Sequence, residues 1–355
     1  MKFGPVATAD AAGCVLAHSL RLPDGVLKKG LLLGEAELQR LAAAGIDTII
    51  VARLEVDDVA ENDAAAQVAH ALGGAEVEIG NAGTGRVNLH ARDAGLLVLD
   101  AARVNAANAV HEGLTIATLH TDSPVDAGQM LATVKIIPYA VPKAAMNEVL
   151  QRLRGDADPA SRSGRRALRV AAWRRFPVGL VMTRLTGTAD TVLAKMRQAV
   201  SLRLEPLGAR LALEEIVAHE PVAVAEALQR MARRTDAPRL LLVSGIAATV
   251  DRLDVVPAAV VAAGGQVLHA GMPVDPGNLL VLAQLAPPDG GLPVVGIPTC
   301  ARSPKLNGFD FVLRRLGAGE PVTSADIMAM GVGGLLTEIE TRPMPRDPRR
   351  REIAK

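Results

Sequence analysis

The chain has 355 residues, 49% of them hydrophobic, which is enough for two domains with a core each. Thirty-nine Lys plus Arg against 38 Asp plus Glu exclude a global field that recruits nucleic acid or an anionic membrane, and 2% aromatic content excludes stacking platforms for single strands. Cys14 and Cys300 stand far apart and form neither a disulfide framework nor a metal pattern, and no segment approaches the roughly 20 apolar residues of a membrane span, so a soluble cytoplasmic protein is expected.

The early part of the chain has an α+β pattern. Residues 35–44 read as helix, 48–52 as strand and 58–72 as a second helix. Gly83-Thr84-Gly85-Arg86 lacks the spaced glycines of a dinucleotide fingerprint and the Lys of a P-loop, so it reads as a turn. A short apolar run at 96–99 and a helix near 101–109 follow. Residues 129–139 are rich in β-branched side chains and read as strand, with Lys135 in the middle either facing a ligand or snorkelling to solvent. Residues 141–153 read as a helix.

Periodicity stops at residues 154–169, RGDADPASRSGRRALR, where Pro, Ser, Gly, Asp and Arg take over. This predicts a solvated linker between an α+β domain at 1–153 and a second domain at 170–340. Residues 341–355, with Arg349-Arg350-Arg351, read as a flexible basic tail. Between them strands and helices alternate. Strands are expected at 178–182, 210–217, 240–243, 266–269, 279–285 and 294–297, and helices at 188–204, 221–233, 254–263, 305–316 and 324–330. That alternation implies an α/β, three-layer αβα domain with a mostly parallel sheet.

In such sheets ligands bind beyond the carboxyl ends of the strands, where loops diverge and backbone amides point outward. Three loops hold the unusual residues of this domain. The first, residues 244–254, leaves its strand through Ser244-Gly245; Ser244 and Thr249 offer hydroxyls, and Asp251 or Asp254 can hold Mg²⁺ or move a proton. Asp254 is equally placed to cap the helix that follows. The second loop, residues 271–278, is a rigid turn in which Pro276-Gly277 positions Asp275 and Asn278. In the third, Arg302, Ser303 and Lys305 lie where a helix is expected to begin, an arrangement suited to phosphate, molybdate or a dithiolene-bearing anion.

A strand, a Ser-Gly loop, Asp254-Val255-Val256-Pro257, a Pro-Gly turn and a Gly-x-Pro loop, in that order, resemble the molybdopterin-binding domain of molybdenum-cofactor biosynthesis proteins. That family includes the molybdenum insertase and the molybdopterin adenylyltransferase, and the resemblance spans about residues 176–336. Asp254 matches the family's acidic position that helps hold cofactor and metal ion, and Pro276-Gly277 matches the insertase's turn, with Asn278 in place of its usual Lys. The stretch from Gly13-Cys14-Val15-Leu16-Ala17-His18 through Lys28-Lys29-Gly30 to residues 132–138, ATVKIIP, is similar to the first domain of bacterial molybdopterin-binding proteins related to the insertase. There are also departures. Gly245-Ile246 stands where the family has Gly-Gly, the loop to Asp254 is one residue longer, and His219, placed either to contact an anion or to cap a helix, takes an acidic position of the adenylyltransferase. Thr183-Arg184-Leu185-Thr186-Gly187-Thr188 lacks the Gly-Asp found there.

The resemblance implies a molybdopterin-binding protein of molybdenum cofactor biosynthesis, acting at or near molybdenum insertion as a transferase. Its ligand would be molybdopterin or the adenylylated form, with Mg²⁺ and molybdate. Ser244, Gly245, Thr249 and Asp251 would hold the pterin or its phosphate end, and Asp275, Pro276, Gly277 and Asn278 would shape the second side. Arg302, Ser303 and Lys305 would draw in molybdate or phosphate, and Asp254 would be the catalytic and metal-holding residue. A non-catalytic carrier or sensor of the cofactor is the alternative, and a nucleotide-handling hydrolase a further one. Expected partners are enzymes of the cofactor pathway or a recipient molybdoenzyme. Ala-rich helices fit a homo-oligomer, and neither nucleic acid nor a membrane is expected to bind.

Overall fold

The structure, a computed structural model, describes residues 1–154, 166–285 and 291–336. It divides into two compact units, Met1–Ala172 and Trp173–Lys355. Among the described residues no helix is long and apolar enough to cross a membrane.

The first unit begins with β1 (Lys2–Ala7), β2 (Val15–Leu16), β3 (Leu20–Leu22), β4 (Gly25–Leu27), α1 (Glu35–Ala43) and β5 (Thr48–Arg53). Strand β5 lies between β1 and β2, β3 pairs with β4, and Leu16, Leu33, Leu41 and Val51 build a core with α1. Next come β6 (Asp58–Ala60), α2 (Glu61–Leu72), β7 (Val77–Ile79), β8 (Arg86–Ala91), β9 (Gly95–Leu99), α3 (Ala101–Asn108) and β10 (Leu114–Thr118). The unit ends with β11 (Pro124–Val125), β12 (Met130–Ile136), β13 (Ala140–Pro142), α4 (Lys143–Leu153) and β14 (Leu168–Ala172). Its two larger sheets run in the orders β10-β12-β8-β7 and β11-β9-β14.

Several sequence expectations change here. The helices expected at 58–72 and 141–153 each begin three residues or so later, because β6 and β13 pair antiparallel before α2 and α4 start. Backbone pairing with a distant partner satisfies these residues better than a frayed first turn would. The end of the expected linker is strand instead: Leu168–Ala172 pairs antiparallel with β9 and belongs to the first unit, not to the second domain. Its polar neighbours hid a run in which Leu168 and Val170 are buried. The rest of the linker, residues 155–165, and the basic tail, 341–355, lie outside the described residues.

The second unit contains β15 (Pro177–Arg184), α5 (Asp190–Leu204), β16 (Arg210–Ala218), α6 (Pro221–Ala232), β17 (Leu240–Ser244) and α7 (Val255–Ala262). These are followed by β18 (Gly265–Ala270), β19 (Val281–Leu285), β20 (Leu292–Gly296), α8 (Gly308–Gly317) and α9 (Ser324–Met328). One six-stranded sheet has the order β16-β15-β17-β20-β19-β18. The first four strands are mutually parallel, while β19 runs antiparallel to both neighbours. The parallel part is therefore smaller than the alternation suggested. A parallel pair needs a crossover of a dozen or more residues, and the chain between β18 and β19, and again between β19 and β20, is too short for one.

Alternate residues of the central strands feed two cores. Leu180, Met182, Leu240 and Leu242 pack with Met196, Val200, Phe309 and Val312 of α5 and α8. Val181, Leu241 and Val243 pack with Val224, Leu228, Val256 and Val260 of α6 and α7. Burial on both faces is what makes these strands read as unbroken apolar runs. Each fully buried Leu or Val adds about 1.5–3 kcal/mol, so the sheet is a rigid support for the loops at its edge.

Candidate functional site

Strands β17, β18 and β20 point the same way, so the loops that follow them emerge at one edge of the sheet. His219, just past β16, lies at the same edge, as does the end of β15. The first loop turns at Gly245-Ile246 and is gripped from two sides. The Arg302 guanidinium donates from Nη2 to the carbonyls of Gly245 at 2.9 Å and Ile246 at 2.7 Å. The amide of Ile246 donates to Thr183 Oγ1 at 2.8 Å, and Thr183 is fully buried.

With these carbonyls and this amide engaged, several polar groups are left over. Gly245 is buried, yet neither its amide nor those of Ala247, Ala248 and Thr249 meets an acceptor among the described residues. Ser244 is 5% exposed and its hydroxyl has no partner among them. The Arg302 Nε is buried and meets no partner among the described residues. A buried donor such as the Arg302 Nε is rare in folded proteins, because it costs about 1–3 kcal/mol of unreturned desolvation. Burial also pulls the Arg302 pKa below the ordinary arginine value, although a guanidinium stays charged at any working pH. Arg302 has no carboxylate in hydrogen-bond reach among the described residues, so a cation and a run of donors stand together at the carboxyl edge of the sheet.

The rest of the first loop is occupied with its own shape. Asp254 caps α7: Oδ1 accepts from Val255 N at 2.8 Å and Oδ2 from Val250 N at 3.1 Å. Asp251 is exposed and accepts from Leu253 N at 2.7 Å. The structural role foreseen for Asp254 is thus the one its geometry displays. Among the described residues no three His, Cys, Asp or Glu side chains gather into a group that could hold a metal ion. Thr249 is half-buried and its hydroxyl meets no partner among the described residues.

In the third loop the structure corrects the expectation. Arg302, Ser303 and Lys305 are not at a helix start; Thr299–Arg302 is a 3-10 turn, and α8 begins at Gly308 with Asn307 as its cap. The capping box of Asn307 and Asp310 fixes the start there. Arg302 points back to the first loop, while the side chains of Ser303 and Lys305 are exposed. What holds this loop is Arg203 of α5, which no sequence argument had singled out. It is 7% exposed in its side chain and pairs with Asp310 at 2.7 Å. It also donates to the carbonyls of Ala301 at 3.0 Å, Ser303 at 2.8 Å and Lys305 at 3.0 Å. A signal was available. Arg203 shares a helical face with Met196 and Val200, which are buried, so a charge stands on the apolar stripe of α5.

The second loop works as a clamp. Pro276 O accepts from Gly308 N at 2.8 Å, and a Cβ on Gly277 would stand 2.8 Å from the Gly308 backbone, so this contact needs glycine. Asp275 pairs through its backbone with Gly334 and Leu336, and the Asp275-Pro276 peptide is cis. Asn278 is exposed and its side chain donates to Met272 O at 3.3 Å. The three loops are therefore linked in series: the first to the third through Arg302, and the third to the second through the start of α8. Ser244, Gly245 and Arg302 come together, whereas Ser303, Lys305, Asp275 and Asn278 shape the surroundings.

A model of a domain of unknown function (DUF8806) matches residues 5–53. A comparison with curated protein sequences gives no match. Among solved structures, a molybdenum cofactor biosynthesis protein B is 17% identical, covering 41% of this chain and 88% of its own, with a TM-score of 0.28. The molybdopterin biosynthesis MoeA protein from Pyrococcus horikosii is 11% identical, covering 90% of this chain and 75% of its own, at 0.30. A putative molybdenum cofactor biosynthesis protein from Corynebacterium diphtheriae is 14% identical over 40% of this chain and 91% of its own, at 0.27.

Proposed function

We propose that the second unit binds a molybdopterin, or its adenylylated form, at the carboxyl edge of its sheet, and that the protein serves molybdenum cofactor biosynthesis at or near molybdenum insertion. The observation that carries the reading is the cluster of the Gly245 amide, the Ser244 hydroxyl and the buried Arg302 Nε, none of which meets an acceptor among the described residues, on an arginine with no carboxylate in hydrogen-bond reach among them. An anionic oxygen would satisfy them together, and the order of the three loops supports the pterin as its bearer. In this reading Ser244, Gly245, Thr249 and the following amides take the phosphate end. Arg302 supplies charge, and its hold on Gly245 and Ile246 keeps the donors aimed before the ligand arrives. Asp251 and Asp254 close the loop from its far side, and Ser303 and Lys305 lie on the path by which molybdate would approach. Both Asp254 oxygens accept from amides, and among the described residues no three His, Cys, Asp or Glu side chains are grouped to hold Mg²⁺.

Protein purified from a cofactor-competent cell is expected to carry a pterin, read by fluorescence after oxidation. Arg302→Ala and Asp254→Ala should lose it. Retention in both variants would defeat the site assignment. The same occupied state of Asp254 favours a second reading, a carrier or sensor that holds finished cofactor without chemistry. Incubation with adenylylated molybdopterin and molybdate separates the two, because a carrier releases no AMP.

A further inference from the structure

We infer that His219 is a ligand-binding residue, an imidazole held at Nδ1 by the Thr183 hydroxyl that donates from Nε2 to an anionic oxygen seated at Gly245. The inference deepens the reading above and rests on it for the identity of the larger ligand, but not for the anion itself.

The argument starts with Thr183. This residue is fully buried, and its hydroxyl oxygen accepts from Ile246 N at 2.8 Å. A hydroxyl carries one hydrogen, and in a buried position that hydrogen must find an acceptor. His219 Nδ1 lies 2.9 Å from the same oxygen. Among the described residues His219 Nδ1 is the one acceptor that the Thr183 hydroxyl hydrogen meets, and this assigns Nδ1 as the bare nitrogen and the ring proton to Nε2. The backbone supports this placement, since His219 N donates to Arg184 O at 3.0 Å and ties the residue to the end of β15.

The ring also faces the loop. A Cβ on Gly245 would be 3.8 Å from His219 Cε1, the carbon between the two nitrogens. The imidazole edge therefore borders Gly245, whose buried amide meets no acceptor among the described residues, and none of those residues accepts from Nε2. Arg302 holds the carbonyls of the same turn, and Ser244 is adjacent in sequence. Three kinds of donor thus belong to one turn: the Arg302 guanidinium, the Gly245 amide and the His219 ring N–H. A phosphate-type oxygen suits that set, because each of its lone pairs can take a separate donor. The Thr183–His219 pair explains how a histidine serves here without wandering, since its second nitrogen is spent on the hydroxyl that also fixes Ile246.

Two substitutions separate contact from support. His219→Asn places an amide oxygen near Nδ1 and keeps an acceptor for Thr183, yet removes the distal donor. His219→Gln reaches the Nε2 position with an N–H. In protein labelled with ¹⁵N at histidine, studied in alkaline buffer, the His219 ring is expected as the Nε2–H tautomer, and inorganic phosphate should shift that nitrogen in step with saturation. His219→Asn should keep the Ile246 amide protected from exchange while weakening phosphate at least tenfold, and His219→Gln should recover part of the loss. A Nδ1–H tautomer, saturation without a His219 shift, no phosphate binding at all, or equal binding by His219→Asn would each overturn the inference. A phosphate response in protein that never carries pterin would uphold the anion site while removing the molybdopterin reading.

Discussion

Two glycine turns stand out in this sequence, Gly83-Thr84-Gly85 in the first unit and Ser244-Gly245-Ile246 in the second, and their fates differ. At the first, Gly83 and Arg86 exchange both backbone bonds, Gly85 N donates to Asn62 Oδ1, and Gly85 O accepts from Ile136 N. Lys135 turns its ammonium onto Thr84 O, so this lysine supports the turn rather than a ligand. At the second, the carbonyls are taken by Arg302 and the Ile246 amide by Thr183, but the Gly245 amide, the Ser244 hydroxyl and the buried Arg302 Nε meet no acceptor among the described residues. A glycine turn becomes a binding site when its scaffold satisfies the shape and leaves donors unspent. Both turns have the residue types; only their partners separate them.

The strongest way to break the second turn's frame is to remove the residue that holds its neighbour. Arg203→Met would leave Asp310 and several carbonyls buried without their cation, and a loss of about 3–5 kcal/mol is expected in urea denaturation. A loss below 1 kcal/mol would mean that water replaces the guanidinium freely. Next come matched glycine substitutions. Gly85 sits at φ +69°, and a Cβ there would lie 2.8 Å from Ile136 O. Gly85→Ala should therefore cost about 1–3 kcal/mol of stability and leave anion binding unchanged. At Gly245 the added carbon would stand 3.1 Å from Ala247 O in an exposed stretch that can yield. Gly245→Ala should cost about 1 kcal/mol or less but displace the free amides and weaken phosphate, measured by calorimetry. If both variants lost only stability, the contrast between the turns would collapse. Asp254→Ala should remove the α7 cap at about 1 kcal/mol, with faster amide exchange at Val250 and Val255 as its signature.

These tests also mark where sequence was sufficient. The apolar runs that became β15, β17 and β20 were legible because burial on both faces leaves no polar residue to interrupt them. The two- and three-residue strands β2, β6, β11 and β13 were not, since pairing between distant segments defines them and no local period does. Ser244, Gly245 and Arg302 could be picked by residue type and position after a strand. The direction of Arg302 could not: it depends on a helix that starts at Gly308 rather than near 305, a shift decided by the Asn307–Asp310 capping box. Arg203 was the readable residue that went unread. A lone charge on an apolar helical stripe is informative because it must be paired once buried.

The smallest expected effect concerns Glu61, beside the satisfied turn. Its Oε2 would be 2.7 Å from a Cβ at Gly85, and its carboxylate is hydrogen-bonded to none of the described residues. Burial raises its pKa above the usual glutamate value, only partly offset by Lys135 and Lys29. A carboxyl whose folded pKa is raised favours the folded state most below its unfolded value, about 4.3, and loses that contribution as pH rises through the folded value, because the unfolded chain gives up the proton more readily. Ionised Glu61 is thus mildly destabilising at neutral pH. Glu61→Gln should raise the stability of the first unit at pH 7 by less than about 0.5 kcal/mol, the range of a solvent-screened charge, and the gain should vanish at pH below about 4. Thermal melts at the two pH values read the difference. A variant less stable at pH 7 would mean that the Lys135 and Lys29 attractions outweigh desolvation, and that the first turn depends on charge as well as on its completed hydrogen bonds.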